Sequence, residues 1–320
     1  IERPVRESRG LDANRRRVIV VGLAISIVSG VVIAPAILRH SPLTAPGAVS
    51  ASEIDAAKHA KYDVPNCLNK PVAKCIAVHG AGPRMLLVGD SHAQVLIPAF
   101  SRVARDRDLT LAVASLPDCP WPQGIVANPS QGPKDLDATC HENQDDWYGR
   151  VLEQFDPDIV VLIHLPVDQP RHGQSIRDEH GRALAPSDPD FVSTISAAAG
   201  RTLDRIERPG RKIVVIEPIP LPPEVFDPLA CISRALNPAT CQFTAPAAPT
   251  PLERYYRSRA DGQHEWSLDI DGIICPRFPV CDELVNGTVV RRDQQHITAQ
   301  YSKQIGTALE ALLVRARIVA

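Results

Sequence analysis

Residues 84–92, Arg84-Met85-Leu86-Leu87-Val88-Gly89-Asp90-Ser91-His92, decide the fold. Four apolar residues in a row, closed by a glycine, read as a short strand buried on both faces. Directly behind them, Ala93 to Arg105 carries Val95, Leu96, Ala99 and Val103 at helical spacing, so the chain turns from strand to helix at Gly89–His92. A serine at such a turn points its hydroxyl out of the carboxyl edge of a sheet. The backbone N–H groups of Ser91 and His92, at the helix start, are candidates to receive a developing oxyanion.

The same unit recurs outward from this stretch. Leu109–Ala114, Asp158–Ile163 and Lys212–Ile216 are further short runs rich in aliphatic residues, with helical patterns near Asn143–Gln154, Asp190–Ile206 and Ile297–Leu313. Repeated strand–helix units imply an α/β fold with a doubly wound, mostly parallel sheet, whose site lies at the carboxyl ends of the strands. Trp266–Asp271 and Leu284–Val290 are expected to add a fifth strand and a small hairpin. The proline-rich stretches Pro117–Cys140, Pro166–Pro189 and Pro218–Cys241 each follow a strand end, and so should gather around the site.

A serine nucleophile needs a base. Asp293-Gln294-Gln295-His296 stands just before the last helix, and the two-residue gap lets Asp293 fold back onto the imidazole of His296. Each half alone fits plain turn or capping chemistry. One after the first strand and the other before the last helix, they point to a catalytic triad of Ser91, His296 and Asp293. Asp90, His92 and His164 are the substrate-binding candidates. His92 would orient substrate, compete as the base or lie on the surface beside the nucleophile, and His164 ends the third strand on the site's side, where a hydrogen-bonded structural role is the plainer reading. His79, His141, His172, His180 and His264 lie in polar stretches and read as solvated. Trp121, Trp147 and Trp266 are core residues or a sugar-stacking wall, with core favoured for Trp147.

The N-terminal region is of another character. Val18 to Leu38 is a run of twenty-one residues without a charge, directly after Arg15, Arg16 and Arg17, which reads as a transmembrane helix with the arginines inside. The expected division is a cytoplasmic tail at 1–17, a span at 18–38, an extracytoplasmic linker at 39–65 with a short helix near Ser52–His59, and a catalytic domain at 66–320. Since the chain starts at Ile1 rather than Met, it is read as the C-terminal part of a longer protein. Residues 1–40 carry a net charge of +4 and the remainder −6, so the basic excess belongs to the membrane flank. No basic stripe with interleaved aromatics occurs in the body of the chain, which speaks against nucleic-acid binding.

Eight cysteines in an oxidising compartment are expected to pair. Four sequence-local pairs stand out: Cys67–Cys75, Cys119–Cys140, Cys231–Cys241 and Cys275–Cys281. No two cysteines are separated by two residues and no histidine pair has ligand spacing, so no metal site is expected. Nor is any cofactor.

With the blocks Leu87-Val88-Gly89-Asp90-Ser91-His92 and Asp293-Gln294-Gln295-His296, the chain resembles the SGNH hydrolase superfamily over about residues 80–315. It is most similar to periplasmic SGNH domains fused behind membrane acyltransferase-3 domains. Histidine after the serine, the cysteine in Leu116-Pro117-Asp118-Cys119-Pro120, the Cys275/Cys281 pair and the preceding apolar span carry that likeness. Ile1-Glu2-Arg3-Pro4-Val5-Arg6 looks like the end of such an acyltransferase domain. The superfamily's Gly and Asn blocks have no counterpart in Ser115-Leu116-Pro117 or His164-Leu165-Pro166. The resemblance implies a three-layer α/β/α sandwich of flavodoxin-like, SGNH type, working as an O-acyltransferase. A membrane domain would supply the acyl group, acetyl by default, and a cell-envelope glycan would accept it. An extracytoplasmic carbohydrate esterase, or an inactive glycan-binding domain, are the other functions this fold would serve.

Overall fold

The computed structural model describes residues 15–28, 49–127, 135–169, 175–235 and 237–320. The chain divides into two units, Ile1–Ala48 and Val49–Ala320. In the first, Arg15–Val28 is helical and exposes Ile19, Val20, Leu23 and Ile27. The second half of the expected span, residues 29–38, lies outside the described residues. Among those described, no helix is long and apolar enough to cross a membrane.

The second unit is built on a six-stranded sheet: β1 (Ile76–Val78), β2 (Arg84–Gly89), β3 (Thr110–Ser115), β4 (Ile159–Ile163), β5 (Lys212–Ile216) and β6 (Glu265–Leu268), in the order β1-β3-β2-β4-β5-β6. All pairings are parallel except β1 with β3. Successive residues alternate between two cores. Met85, Leu87, Val113, Val161 and Val214 face one side, while Leu86, Val88, Ala114, Val160 and Val215 face the other. Both faces are apolar because both are covered, which is why these strands read as unbroken aliphatic runs.

On the first face lie α1 (Ser91–Asp106), through Val95, Leu96, Phe100 and Val103, and the C-terminal helix, Ala299–Arg315, through Tyr301, Ile305, Leu309 and Leu313. The two helices meet closely at Gly306, where a Cβ would stand 2.9–3.2 Å from Arg102 and the Ala99 carbonyl. On the other face, α2 (Leu136–Asp146) continues through a π-helical turn at Trp147–Val151, and α3 (Phe191–Ile206) and α4 (Pro251–Arg259) follow; the C-terminal helix is α5. The result is an α/β/α arrangement around a mainly parallel sheet.

Several boundaries differ from expectation. The helix expected at Asn143–Gln154 begins at Leu136, because Leu136 and Cys140 also bury against the second core. The proline-rich stretches carry structure of their own: a small sheet of Val126–Ala127, Ile176–Arg177 and Ala183–Leu184, and a helix at Pro228–Arg234. The expected Trp266–Asp271 overlaps β6, and Leu284–Val290 forms a hairpin whose turn is Asn286-Gly287, both at positive φ. Of the expected linker 39–65, residues 39–48 lie outside those described, whereas 49–65 belong to the folded unit. Helix Ala51–His59 is closed by a Ser50/Glu53 capping box, and Ala57 buries against Ile232, Cys241 and Val289. The four cysteine pairs are Cys67–Cys75, Cys119–Cys140, Cys231–Cys241 and Cys275–Cys281.

Candidate active site

The strand order reverses at β2: the chain crosses first to β3 on one side and then to β4 on the other. A crevice opens at such a switch point, and Gly89-Asp90-Ser91 occupies it. Gly89 has φ +152°, and a Cβ there would fall 1.8 Å from the Ile163 carbonyl oxygen, so only glycine lets β2 run this close to β4 before turning. Asp90 then caps α1. Its Oδ1 accepts the His92 N–H at 2.8 Å, and its Oδ2 accepts the Leu165 N–H at 2.8 Å from the end of β4. Ser91 is left half-buried at the first turn of α1, its hydroxyl without a hydrogen-bond partner among the described residues.

This capping corrects two expectations. Asp90 is fully buried with both oxygens engaged, so it does not reach substrate; burial, against the two amide donors, pushes its carboxyl up to about 7. The His92 N–H is held by Asp90, so of the two amides expected to receive an oxyanion only that of Ser91 is left as a candidate. The neighbouring loops also turn their first amides inward, since Leu116 donates to the Gly89 carbonyl at 3.1 Å and Leu165 to Asp90. They brace the turn that carries Ser91.

The second block is equally constrained. The 284–289 hairpin leads into a loop closed by Arg292 N–H to the His296 carbonyl at 3.0 Å and by Thr298 N–H to Val290 at 2.8 Å. Inside, Arg291 and Glu283 form an ion pair of 3.1 Å with no exposure of either side chain, and Arg291 also donates to the Pro220 carbonyl at 2.8 Å. Asp293 Oδ1 accepts the N–H groups of Gln295 (2.9 Å) and His296 (2.8 Å), and His296 Nδ1 lies 2.9 Å from both carboxylate oxygens. Nδ1 therefore carries the proton toward Asp293, leaving Nε2 as an acceptor. Burial alone would raise the Asp293 carboxyl, but the His296 bond and the two amides outweigh it and hold it down to about 2.

The two blocks meet through His92, whose ring is 6.1 Å from that of His296. His92 is completely buried, contrary to the surface alternative, and both ring nitrogens lack a hydrogen-bond partner among the described residues. Burial, then the neighbouring His296 and His164, hold it well below the ordinary histidine range, so it stays neutral and is unsuited to accumulating the proton of a general base. His164 takes the hydrogen-bonded structural role that is its plainer reading, rather than the substrate contact. It is buried, with Nδ1 2.6 Å from the Leu165 carbonyl and Nε2 2.7 Å from the Tyr256 hydroxyl, and burial keeps it down to about 4. All three tryptophans are buried, so none forms an exposed sugar-stacking wall. His79, His180 and His264 are exposed and His141 is partly so, while His172 lies outside the described residues.

The residue pattern did not single out Arg291, Arg292, Tyr62 or Tyr256. The first two adjoin the Asp-x-x-His motif and were visible as charges next to it. Among the described residues no group of three His, Cys, Asp or Glu is placed to hold a metal. A cleft of about 390 Å³, lined by Lys58, Asp227, Arg292, Asp293 and Gln294 among others, opens beside the second block.

A switch-point serine on a mainly parallel sheet, with an Asp-bound histidine presented from the loop before the last helix, is the arrangement of an SGNH-type hydrolase fold. The chain belongs to the SGNH domain family of the kind fused to AT3 domains, whose model matches residues 55–311. No curated protein matches it in sequence. Among solved structures it is similar to a lipopolysaccharide acetyltransferase periplasmic domain of Salmonella ser. Paratyphi A, with 15% identity over 78% of this chain and 91% of that one and a TM-score of 0.52. A carbohydrate acetylesterase family member of Sinorhizobium meliloti aligns at 18% identity over 73% and 99% of the two chains, with a TM-score of 0.39.

Proposed function

We propose that this domain is an O-acyltransferase that carries its acyl group on Ser91, with His296 as base and Asp293 as its orienting partner. The observation that carries the reading is the Asp293–His296 pair, bonded through Nδ1, beside the residue that follows the switch-point serine. Nε2 takes the Ser91 proton as the serine oxygen attacks the acyl carbonyl, and the Ser91 amide stabilises the oxyanion. The imidazolium returns that proton to the leaving group, giving an acyl-serine. A glycan hydroxyl then loses its proton to His296 and attacks the acyl-serine, releasing the ester product and restoring Ser91. Asp293 stays ionised throughout and stabilises the imidazolium.

Transfer is preferred to hydrolysis because the family is the one fused to AT3 domains, which fits a membrane domain that delivers acyl groups outward. The four disulfides favour an oxidising, extracytoplasmic compartment. Residues 18–38 are proposed to cross the membrane, with 1–17 on its cytoplasmic side, and the acceptor is proposed to be a cell-envelope glycan. Incubation with an activated acetyl ester should add one acetyl group to the Ser91 peptide, seen by mass spectrometry, and Ser91→Ala should lack it. Labelling that persists in Ser91→Ala refutes the nucleophile. With a glycan acceptor present, acetylated glycan marks transfer, whereas free acetate alone marks a carbohydrate esterase.

A further inference from the structure

The segment that the sequence reads as a linker reaches the catalytic loop. Helix Ala51–His59 seats Ala57 against Val289 of the hairpin that feeds the loop, and Tyr62 packs against the main core. From there, three contacts converge on residues 292–297. The Arg292 guanidinium carbon lies 5.0 Å from the centre of the Tyr62 ring, Arg292 Nη1 donates to the Ala60 carbonyl at 3.3 Å, and the Tyr62 hydroxyl donates to the Ile297 carbonyl. Arg292 Nε in turn lies 3.4 Å from Asp293 Oδ2, the oxygen that also faces His296 Nδ1 at 2.9 Å.

We propose that Arg292 is a positioning residue for the Asp293–His296 pair, and that Tyr62 and Ala60 hold it there, making residues 49–65 part of the catalytic apparatus. This rests on the assignment of Ser91, His296 and Asp293 made above. A guanidinium on a flexible stem beside a half-exposed carboxylate would ordinarily exchange its partner for water. Here the aromatic face and the fixed carbonyl confine it. Its charge has a direct chemical consequence. Shared between two cations, the Asp293 carboxylate stabilises the imidazolium of His296 less than it would alone. Of the other groups around His296, His92 from α1 is kept neutral by burial and burial pushes the Tyr62 phenol up to about 12, while Arg291 is paired at 3.1 Å with Glu283, whose carboxyl burial pushes up to about 7. Any displacement of the 49–65 segment would thus be felt at the catalytic pair.

The test uses the whole 320-residue chain, an activated acetyl ester, and variants whose folding is checked by circular dichroism and melting. Arg292→Gln, which removes the charge and keeps a donor for Ala60, should move the acid limb of the kcat profile to higher pH by roughly half a unit. Arg292→Lys should return most of that shift. Tyr62→Leu, which retains apolar bulk but not the ring face or hydroxyl, should lower kcat by about 5–20-fold with KM within about twofold, and Tyr62→Phe should fall between it and wild type. The inference is overturned if the limb of folded Arg292→Gln stays within about 0.1 unit of wild type, or if folded Tyr62→Leu keeps kcat within about twofold, while Ser91→Ala is inactive. An active Ser91→Ala would bring down the site assignment instead, and this inference with it.

Discussion

Replacing Gly89 by alanine tests the geometry on which the whole site depends. The added Cβ would stand 1.8 Å from the Ile163 carbonyl oxygen and 3.3 Å from the Ala93 Cβ. Ordinary carbon contacts need about 3.5 Å, so roughly 1.5 Å must be found by moving backbone. Ile163 cannot retreat freely, because β4 is flanked by β5 and the Leu165 N–H is fastened to Asp90. Overpacking of this kind costs about 1–3 kcal/mol, and a β-carbon at φ +152° adds a comparable strain. Their sum, about 2–6 kcal/mol, corresponds to a fall in Tm of roughly 5–20 °C for a domain of this size. Gly210→Ala is the control. Its φ of +82° is equally unsuited to alanine, but nothing lies within 4 Å of the new Cβ, so about 1 kcal/mol and a few degrees are expected. Calorimetry of the two variants, with disulfides intact, decides the matter. A Gly89→Ala protein melting within about 3 °C of wild type would show that the strand-to-strand approach is not the constraint described.

Three further outcomes are expected. His296→Ala should abolish ester turnover as fully as Ser91→Ala, by about 10⁴-fold or more, while Asp293→Ala keeps measurable turnover; a near-normal His296→Ala beside an inactive His92→Ala would transfer the base to His92. Burial holds the carboxyls of Asp90 and Glu253 up at about 7 and of Asp271 at about 8, so the fold retains protons that the unfolded chain releases at about pH 4. Their contribution to stability is therefore fully present below about pH 4 and lost as pH rises through 7–8, whereas the contribution of Asp293, held at about 2, is fully present above about pH 4 and is lost only as pH falls toward 2. Urea midpoints should fall between pH 5 and pH 8, and a rising profile contradicts the assignment. Peptide mapping without reduction should recover the four local cystines and no free thiol, and crossed pairs would overturn the topology of the loops.

The central strands were legible because burial on both faces writes itself as uninterrupted Leu, Val and Ile, as in Ile159–Ile163 and Lys212–Ile216. β1 was not, since three residues pairing antiparallel at an edge leave no periodicity to find. The helices at Pro228–Arg234 and Pro251–Arg259 lay hidden in proline-rich stretches, although Asp227-Pro228 and Thr250-Pro251 with Glu253 are start signals: a capping side chain followed by proline in the first turn. At the site, the order of the two blocks identified Ser91, Asp293 and His296 as candidates. What the order could not convey is that Asp90 turns inward, because a polar residue at a strand end faces either solvent or a partner that only the fold supplies. Arg292 and Tyr62 are 230 positions apart, and no local pattern links them.

The cystines bear on how the molecule is made. Each closes a stretch of 6 to 21 residues, and no bridge encloses or crosses another. As the chain emerges N-terminus first, every cysteine after an odd-numbered one finds its proper partner just behind it, so the one correct pattern among the 105 possible for eight cysteines can form by nearest-neighbour oxidation, without reshuffling. The late event lies elsewhere. α5 and the Asp293–His296 loop must return to α1 and the β2 turn some 200 residues earlier, and contacts of such separation form slowly. The enzyme would thus be fully oxidised before its site exists, and the final thirty residues would be the step at which folding and catalytic competence coincide.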